Sequence, residues 1–368
     1  MKRLRVLHLI SRMNSGGTAT YLNTLIPALN ARDIETLLLF GEVASGESED
    51  INIGSSGFIR VKNLRREISP YRDFLAYQEF NEVVQKFRPD IIHSHAFKAG
   101  LISRLRRISQ AKRIHTFHGH HLYDPEFNSI EIKVMNCVER KLTTKTNGII
   151  YVGQQVKIEL EGLGIGEKVD SISIPPGIDL PKLMAKSEAT KTLGIEFADK
   201  WKTVVLWMGR FVEVKRPEEY IAVARKFPES LFLMAGDGPL RLELERNAPG
   251  NLRFLGWQPR EALLSIADFV VSTSRSEGMP LSLIEAQVVG LPVVAPRVGS
   301  VSEILIDEKS GYLVDASLAD IEVKVRNLIE DKELLLNMSQ VASENSKRKF
   351  GADALAQAHH KFYAKITQ

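Results

Sequence analysis

The sequence predicts an α/β protein made of two doubly wound, Rossmann-like domains. Short apolar runs rich in Val, Ile and Leu alternate with longer segments of helical period, which is typical of parallel strands joined by helices. The chain has 368 residues, more than one hydrophobic core usually serves. The alternation lapses once, in a polar stretch from Pro175 to Lys202, and then resumes. These observations predict two domains with the same architecture.

Residues 1–178 form the first predicted domain, in which each strand is a short apolar run and the helices lie between the strands. The expected strands are Val6–Ile10, Thr36–Phe40, Asp90–His93, Arg113–Thr116, Gly148–Val152 and Ser171–Ile174. The expected helices are Thr18–Ala31, Tyr71–Phe87, Lys98–Arg107, Ile130–Thr144 and Gln154–Glu161. His8 interrupts the first apolar run, which is too short for a signal peptide.

Residues 179–352 form the second predicted domain. Its expected strands are Thr203–Trp207, Leu231–Ala235, Arg253–Leu255, Phe269–Ser272, Pro292–Ala295 and Gly311–Leu313. Its helices should begin at Pro217, Pro239, Pro259, Leu281 and Ser300, and proline suits a first helical position because its missing N–H would be unpaired there. The chain should be helical from Leu318 onward, with Asp353–Ala364 as a separate last helix.

Composition excludes several classes of protein. The net charge of +4 is too small over this length to indicate nucleic-acid binding. The single cysteine, Cys137, cannot form an internal disulfide, which favours a reducing compartment such as the cytoplasm; we expect it to be a small buried residue. No stretch has the length and apolar character of a transmembrane span.

Two motifs follow strands of the first domain, where doubly wound sheets bind ligands. Asn14-Ser-Gly-Gly17 leads directly into a helix, so its N–H groups suit an anion, although a plain tight turn is the alternative. It lacks the pattern of a nicotinamide-binding loop. His93-Ser-His95 and Thr116-Phe-His-Gly-His-His121 bring histidines to adjacent strand ends. Metal ligation is one interpretation, and a substrate-facing role for at least one histidine is the favoured one.

Three motifs follow strands of the second domain. Gly209-Arg210 with Lys215 supplies cations that suit a diphosphate. Ala235-Gly-Asp-Gly-Pro239 is a turn that allows close approach of a ligand. Glu277 precedes a helix and Glu285 lies two turns into it, so their carboxylates suit sugar or ribose hydroxyls beside a helix N-terminus. Together the motifs predict an anionic ligand that also carries hydroxyl groups.

In this order, these motifs resemble the retaining nucleotide-sugar glycosyltransferases of family 4, which have the GT-B architecture of two Rossmann-like domains facing across a cleft. The resemblance spans essentially the whole chain and includes Pro175-Pro-Gly-Ile-Asp179 and the Gly-Leu-Pro-Val-Val-Ala run from Gly290 to Ala295. Arg65-Arg-Glu-Ile-Ser-Pro70 with Lys98-Ala-Gly100 resembles the bacterial branch that builds surface polysaccharides on lipid carriers.

The resemblance implies roles for individual residues. It implies a donor site formed by Gly16, Gly17, Arg210, Lys215, Gly278, Met279, Leu281, Ser282 and Glu285, and catalytic roles for His118, Glu277, Arg210 and Lys215. Arg210 and Lys215 would neutralise the diphosphate, Glu285 would bind the ribose, and Glu277 and His118 would contact the transferred sugar. The base would lie near Gly256-Trp-Gln258, and the last helix would return to the first domain.

The implied reaction moves a hexose or N-acetylhexosamine from a nucleoside-diphosphate sugar, UDP favoured over GDP, to a hydroxyl of a lipid-linked glycan, with no metal and no cofactor. An epimerase or hydrolase of GT-B shape and a non-catalytic nucleotide-sugar binding protein remain the alternatives.

Charge is unevenly distributed along the sequence. Residues 1–178 with 353–368 carry +6, and residues 179–352 carry −2. Basic residues Lys62, Arg65, Arg66 and Arg72 alternate with Phe58, Ile68 and Tyr71, and Arg104, Arg106 and Arg107 should line the outer face of a helix that packs through Leu101, Ile102, Leu105 and Ile108. This predicts weak peripheral binding to an anionic membrane surface at its cytoplasmic side, with solvated helix faces as the alternative.

Overall fold

The computed structural model describes residues 3–67, 69–105, 109–119, 128–195, 201–315 and 317–368. The described chain divides into two compact units. The first unit contains the described residues up to 179 together with Gly351–Gln368, and the second contains Leu180–Phe350. The predicted α/β class with two parallel-sheet, Rossmann-like domains is confirmed.

The first unit has a seven-stranded parallel sheet in the order β3-β2-β1-β4-β5-β6-β7. The strands are β1 Arg5–Arg12, β2 Glu35–Gly41, β3 Gly57–Arg60, β4 Ile91–His95, β5 Lys112–Phe117, β6 Gly148–Tyr151 and β7 Ser171–Ser173. The helices are α1 Gly17–Asn30, α2 Pro70–Phe87, α3 Phe97–Leu105, α4 Ser129–Thr143 and α5 Gln154–Gly162, with α13 Ala352–Thr367 from the end of the chain. Apolar cores form on both faces of the sheet, and α1 and α13 pack into the same core.

The second unit has a six-stranded parallel sheet in the order β10-β9-β8-β11-β12-β13. The strands are β8 Val204–Met208, β9 Leu231–Ala235, β10 Leu252–Gly256, β11 Phe269–Val271, β12 Val293–Pro296 and β13 Gly311–Val314. The helices are α6 Lys186–Leu193, α7 Pro217–Lys226, α8 Arg241–Arg246, α9 Arg260–Ile266, α10 Leu281–Val289, α11 Leu318–Glu330 and α12 Lys332–Lys349. Two 3-10 helices cover Glu213–Lys215 and Gly299–Glu303.

The strand order locates the edge where a ligand is expected in each unit. In the first sheet the order reverses between β1 and β4, and in the second it reverses between β8 and β11. Helices leave the carboxyl ends of such neighbouring strands on opposite faces, which opens a crevice there. The loops after β1 and β4, and after β8 and β11, carry the motifs found in the sequence.

Four expectations about local structure are wrong. The segment predicted to be a helix from Ser300 is a five-residue 3-10 helix, and α8 begins at Arg241 rather than Pro239. Cys137 is exposed on α4 rather than buried. Arg104 is fully buried, while Leu105 is half exposed, so the face of α3 that points inward is not the one that the sequence predicts. Ile68, Arg106, Arg107, Ile108, His120 and His121 lie outside the described residues.

None of the helices in the described residues has both the length and the apolar character needed to cross a bilayer.

Candidate functional site

The loops after β8 and β11 form the core of the site in the second unit. Lys215 Nζ forms an ion pair with the carboxylate of Glu277, and the two side chains are 25% and 10% exposed. Two further bonds hold the loops together: Thr273 Oγ1 donates to the Lys215 carbonyl at 2.8 Å, and the Arg275 N–H donates to the Val214 carbonyl at 2.8 Å. Two predicted site residues 62 positions apart in the sequence are therefore in direct contact.

Close backbone packing around this pair depends on glycine. Gly299 has φ +48°, and a Cβ there would lie 1.8 Å from the Glu277 carbonyl oxygen. The adjacent Ser300 N–H donates to the Gly278 carbonyl at 2.8 Å. Gly236 has φ +126°, and a Cβ there would lie 1.9 Å from the Gly209 carbonyl oxygen. The loops after β9 and β12 thus brace the Arg210 and Glu277 turns through main-chain contacts.

Arg210 and the start of α10 provide open groups for an anion. Arg210 is exposed, and its side chain has no hydrogen-bond or ion-pair partner among the residues that the structure describes. Helix α10 begins at Leu281, and no side chain of the described residues caps it. Its first N–H groups, which include those of Leu281 and Ser282, have no intrahelical partner. Gly278 is half-buried and Met279 is buried just before this helix.

Glu285 has a partner that the sequence did not indicate. Arg260 Nη1 donates to Glu285 Oε1 at 2.9 Å, from the first residue of α9. Burial raises the pKa of Glu285, and the Arg260 guanidinium opposes that rise. The pairing favours the carboxylate form that hydroxyl donors require. Trp257, in the predicted base-binding segment, is 58% exposed.

The first unit places a glycine turn at the start of α1. Gly16 is the residue before the helix and has φ +155°, and in the part of the chain that the structure describes no side chain caps the N–H groups. Gly17 is the first residue of α1. The Ser15 N–H donates to the Ser48 carbonyl at 2.8 Å, which fixes the turn against the following loop. The first-turn N–H groups are therefore available to a ligand.

His118 lies at the carboxyl end of β5 and joins a group of buried histidines. His95 Nδ1 is 3.1 Å from His118 Nε2, and His8 Nδ1 is 3.2 Å from His95 Nε2. His93 bonds the Tyr363 and Thr116 hydroxyls, each at 2.6 Å, and His359 bonds the Tyr21 hydroxyl at 2.9 Å.

Burial lowers the pKa of His8 and His118 to about 3 and that of His359 to about 4. His8, His93 and His95 each offer a ring nitrogen within 4.8 Å of the others, a spacing at which three histidines could hold a metal ion.

Sequence reasoning missed several partners in these sites. Arg260, Thr273, Tyr21 and His359 had no local motif, whereas His8 had a signal, since it is the one polar residue in the predicted strand Val6–Ile10. Arg104 Nη2 bonds both carboxylate oxygens of Glu139 at 2.9 Å, which explains why this arginine is buried.

Comparisons with known proteins agree with this architecture. The family model described as Glycosyltransferase Family 4 matches residues 15–182, and the model described as Glycosyl transferases group 1 matches residues 191–347. An Escherichia coli UDP-Gal:alpha-D-GlcNAc-diphosphoundecaprenol alpha-1,3-galactosyltransferase is 27% identical over 76% of each chain. The D-inositol 3-phosphate glycosyltransferase of Corynebacterium jeikeium is 29% identical over 75% of this chain and 72% of that one.

Solved structures share the fold over nearly the whole length. Sucrose-phosphate synthase from Thermosynechococcus elongatus matches with a TM-score of 0.84 and 21% identity, covering 99% of both chains. Anabaena HepE, solved in complex with UDP-glucose, matches with a TM-score of 0.82 and 18% identity, covering 98% of this chain and 100% of that chain. Given the two family models and this fold, the chain belongs to family 4 of the glycosyltransferases and is a GT-B enzyme that transfers a sugar.

Proposed function

We propose that this enzyme is a retaining glycosyltransferase that takes a hexose or N-acetylhexosamine from a nucleoside-diphosphate sugar, with UDP favoured as the nucleotide. The acceptor is a hydroxyl group of a lipid-linked glycan. The observation that carries the proposal is the pairing of Lys215 with Glu277 at the carboxyl edge of the second sheet, where Arg210 and the first turn of α10 supply further positive potential. The name of the Escherichia coli relative supports the lipid-linked acceptor and the UDP donor.

In the proposed donor site, different protein groups bind the diphosphate, the ribose and the transferred sugar of the donor. Arg210, Lys215 and the N–H groups of Leu281 and Ser282 hold the diphosphate, beside the turn that Gly278 and Met279 form. Glu285 accepts hydrogen bonds from the ribose hydroxyls, and Glu277 accepts them from the transferred sugar. Gly16, Gly17 and His118 contribute from the first unit, the glycines through main-chain N–H groups. The cations and the helix terminus take the place of a divalent metal.

The proposed chemistry follows from where charge develops. As the bond between the anomeric carbon and the leaving oxygen breaks, negative charge grows on the nucleoside diphosphate, and Arg210 and Lys215 stabilise it most in the transition state. The leaving phosphate oxygen accepts the proton of the acceptor hydroxyl, whose oxygen then bonds to the same face of the anomeric carbon. This gives retention of configuration.

The first experiment identifies the donor by a thermal-shift panel of UDP-, GDP- and ADP-sugars, since a ligand that binds only the folded protein raises its Tm. We expect a UDP-sugar to give the largest shift. The second experiment follows that donor with a short-chain lipid diphosphate sugar as acceptor and determines the product anomer by NMR. Inversion would exclude the proposed mechanism. Consumption or epimerisation of the donor at the same rate without acceptor would exclude transfer as the main reaction.

We also propose weak peripheral binding of the first unit to an anionic membrane surface. Phe58, Tyr71 and Phe74 are exposed large apolar side chains, and Lys62 and Arg72 are exposed cations close to them in sequence. Arg104, which the sequence predicts to lie on this surface, is buried and is not part of it. The proposal predicts co-sedimentation with phosphatidylglycerol vesicles at low salt and none with phosphatidylcholine vesicles. Equal recovery with both would reject it.

A further inference from the structure

Three imidazoles form a chain of hydrogen bonds from the interior of the first unit to its ligand-binding edge. His8 on β1 contacts His95 at the end of β4, and His95 contacts His118, which follows β5. The strands pair so that Ile10 and Thr116 are the neighbours of His95, which brings residues near the ends of all three strands together. His8 and His95 are fully buried, and His118 is half-buried. Each link joins a different ring nitrogen of His95, so the three rings are connected in series.

The protons of this chain are restricted to two arrangements. Burial lowers the pKa of His8 to about 3 and of His95 well below its ordinary range, so each ring is neutral near pH 7 and carries one N–H. In one arrangement His8 Nδ1 donates to His95, His95 Nδ1 donates to His118 Nε2, and His118 carries its proton on Nδ1. In the other arrangement every bond is reversed, and His8 carries its proton on Nε2.

The inner end of the chain selects between the two arrangements. His8 Nε2 is buried and has no hydrogen-bond partner among the residues that the structure describes. The reversed arrangement would leave an N–H orphaned there, whereas the first leaves only an unused lone pair. Buried N–H groups without an acceptor are rarer in proteins than under-used acceptors. The first arrangement is therefore the stable one.

From this geometry we infer that His95, backed by His8, is a positioning residue that fixes His118 as the Nδ1–H tautomer, so that His118 is a hydrogen-bond donor to a hydroxyl oxygen of the transferred sugar. The inference rests on the proposed function, in which His118 contacts that sugar. His118 Nδ1 has no partner among the described residues, so it is free to donate to a ligand.

Neighbouring rings hold the chain in place. The Tyr21 ring meets the His118 ring edge-on, with centroids 4.8 Å apart and an interplanar angle of 87°. The His93 ring packs against the His95 ring at 4.2 Å and is anchored by the Tyr363 and Thr116 hydroxyls. Both nitrogens of His93 and both of His95 are engaged in hydrogen bonds, so a metal ion among His8, His93 and His95 would have to break the chain.

The first experiment reads the tautomer directly. Ring-nitrogen NMR of protein labelled with 15N-histidine, with the His118 signals identified by their loss in His118→Ala, should give His118 as the Nδ1–H tautomer, the one that free histidine disfavours. In His95→Leu the same signals should move toward the Nε2–H tautomer. Finding Nε2–H in the unmodified protein would overturn the inference. Stoichiometric binding of zinc chloride that is lost in His8→Leu would also overturn it.

The second experiment is a kinetic double-mutant cycle with the donor found by the thermal-shift panel. We expect His95→Leu to lower kcat about tenfold, the fold-change of one ordinary hydrogen bond of about 1.4 kcal/mol, and to have no further effect in a His118→Ala background. His95→Asn should recover part of the loss, because its amide N–H lies near the position of Nδ1. His115→Leu is the matched control: His115 is also buried and bonds Ser94 at 2.9 Å, and it is not part of the chain.

The outcomes separate the inference from the proposed function. If His118→Ala leaves kcat unchanged, the proposed role of His118 is wrong. If His118→Ala lowers kcat and His95→Leu lowers it equally in both backgrounds, His95 acts on the fold alone and the inference is wrong. His115→Leu should add to His118→Ala independently and leave the His118 tautomer unchanged.

Discussion

Lowering the pH from about 7.5 to about 5.5 should destabilise the first unit selectively. All nine histidines lie at or before position 121 or after position 358, so residues 180–350 contain none. Several of them are buried as neutral rings. Burial lowers the pKa of His8 and His118 to about 3 and that of His359 to about 4, against an ordinary value of 6.5. As the pH falls, these histidines take up protons in the unfolded chain before they do so in the folded protein. The stability that the neutral rings confer is therefore complete above pH 6.5 and is lost as the pH falls below it.

The size of the effect follows from the separation of these pKa values. One pH unit below 6.5, protonation of each of these histidines in the unfolded chain favours the unfolded state by about 1.4 kcal/mol, or roughly 4 kcal/mol for the three. His93, His95 and His115, whose pKa values burial also lowers, act in the same direction. Glu139 acts in the opposite direction, because burial raises its carboxyl pKa. A loss of roughly 4 kcal/mol corresponds to a fall in Tm of about 10 °C for a domain of this size.

Two optical signals separate the units. The three tryptophans, Trp201, Trp207 and Trp257, all belong to the second unit, whereas far-ultraviolet circular dichroism reports on both. The transition seen by circular dichroism should move to lower temperature between pH 7.5 and 5.5, further than the transition seen by tryptophan fluorescence. His359→Leu should reduce the pH dependence, and His360→Ala, at an exposed neighbouring position, should not. Identical Tm values at both pH values would refute the reasoning.

Three further predictions concern the second unit. Lys215→Met should lower kcat about thirtyfold, since a cation about 4 Å from half a developing charge contributes about 2 kcal/mol at an effective dielectric constant of about 20. Steady-state kinetics measures this change, with Lys332→Met, at an exposed helix start, as the control; an unchanged kcat for Lys215→Met would contradict the role of Lys215. Glu285→Gln should weaken UDP binding about tenfold by calorimetry and weaken 2′-deoxy-UDP binding less, because it removes an acceptor for ribose hydroxyls; an equal loss for both would argue against ribose recognition. EDTA should leave the transfer rate unchanged, and a loss restored by Mg²⁺ would show that the metal-free proposal is wrong.

The fold could be predicted where burial imposes a pattern on the sequence. Strands such as β8 and β9 are continuous apolar runs because both of their faces are covered. Strand β3 was missed because Gly57–Arg60 is a short, exposed edge strand without such a run. Helix α6 was missed because Lys186–Leu193 is mostly polar and buries only Ala189 and Leu193. Elements that bury little surface leave little trace in the sequence.

The candidate site could be predicted only as far as its motifs are local. Lys215 and Glu277 were found because each follows a strand, and parallel strands bring their carboxyl ends to one edge. Their contact, and that of Glu285 with Arg260, depends on loop geometry that spacing does not encode. Arg104 shows the same limit, since its helix periodicity indicates an outer face while Glu139, 35 residues later, holds it in the interior. Tyr21 and His359 are 338 positions apart and share no motif.

The distribution of charge shows why local geometry outweighs net charge at this site. The unit proposed to hold an anionic donor is the net acidic one, at −2 for residues 179–352. Exposed charges more than about 8–10 Å apart are largely screened at physiological salt, so the potential at the β8 and β11 edge depends on the groups next to it. There Glu277 neutralises Lys215 in the absence of a ligand, and Arg260 neutralises Glu285. Within the described part of the chain, Arg210 and the start of α10 remain as positive groups without a carboxylate partner, and they give this edge its proposed preference for a diphosphate.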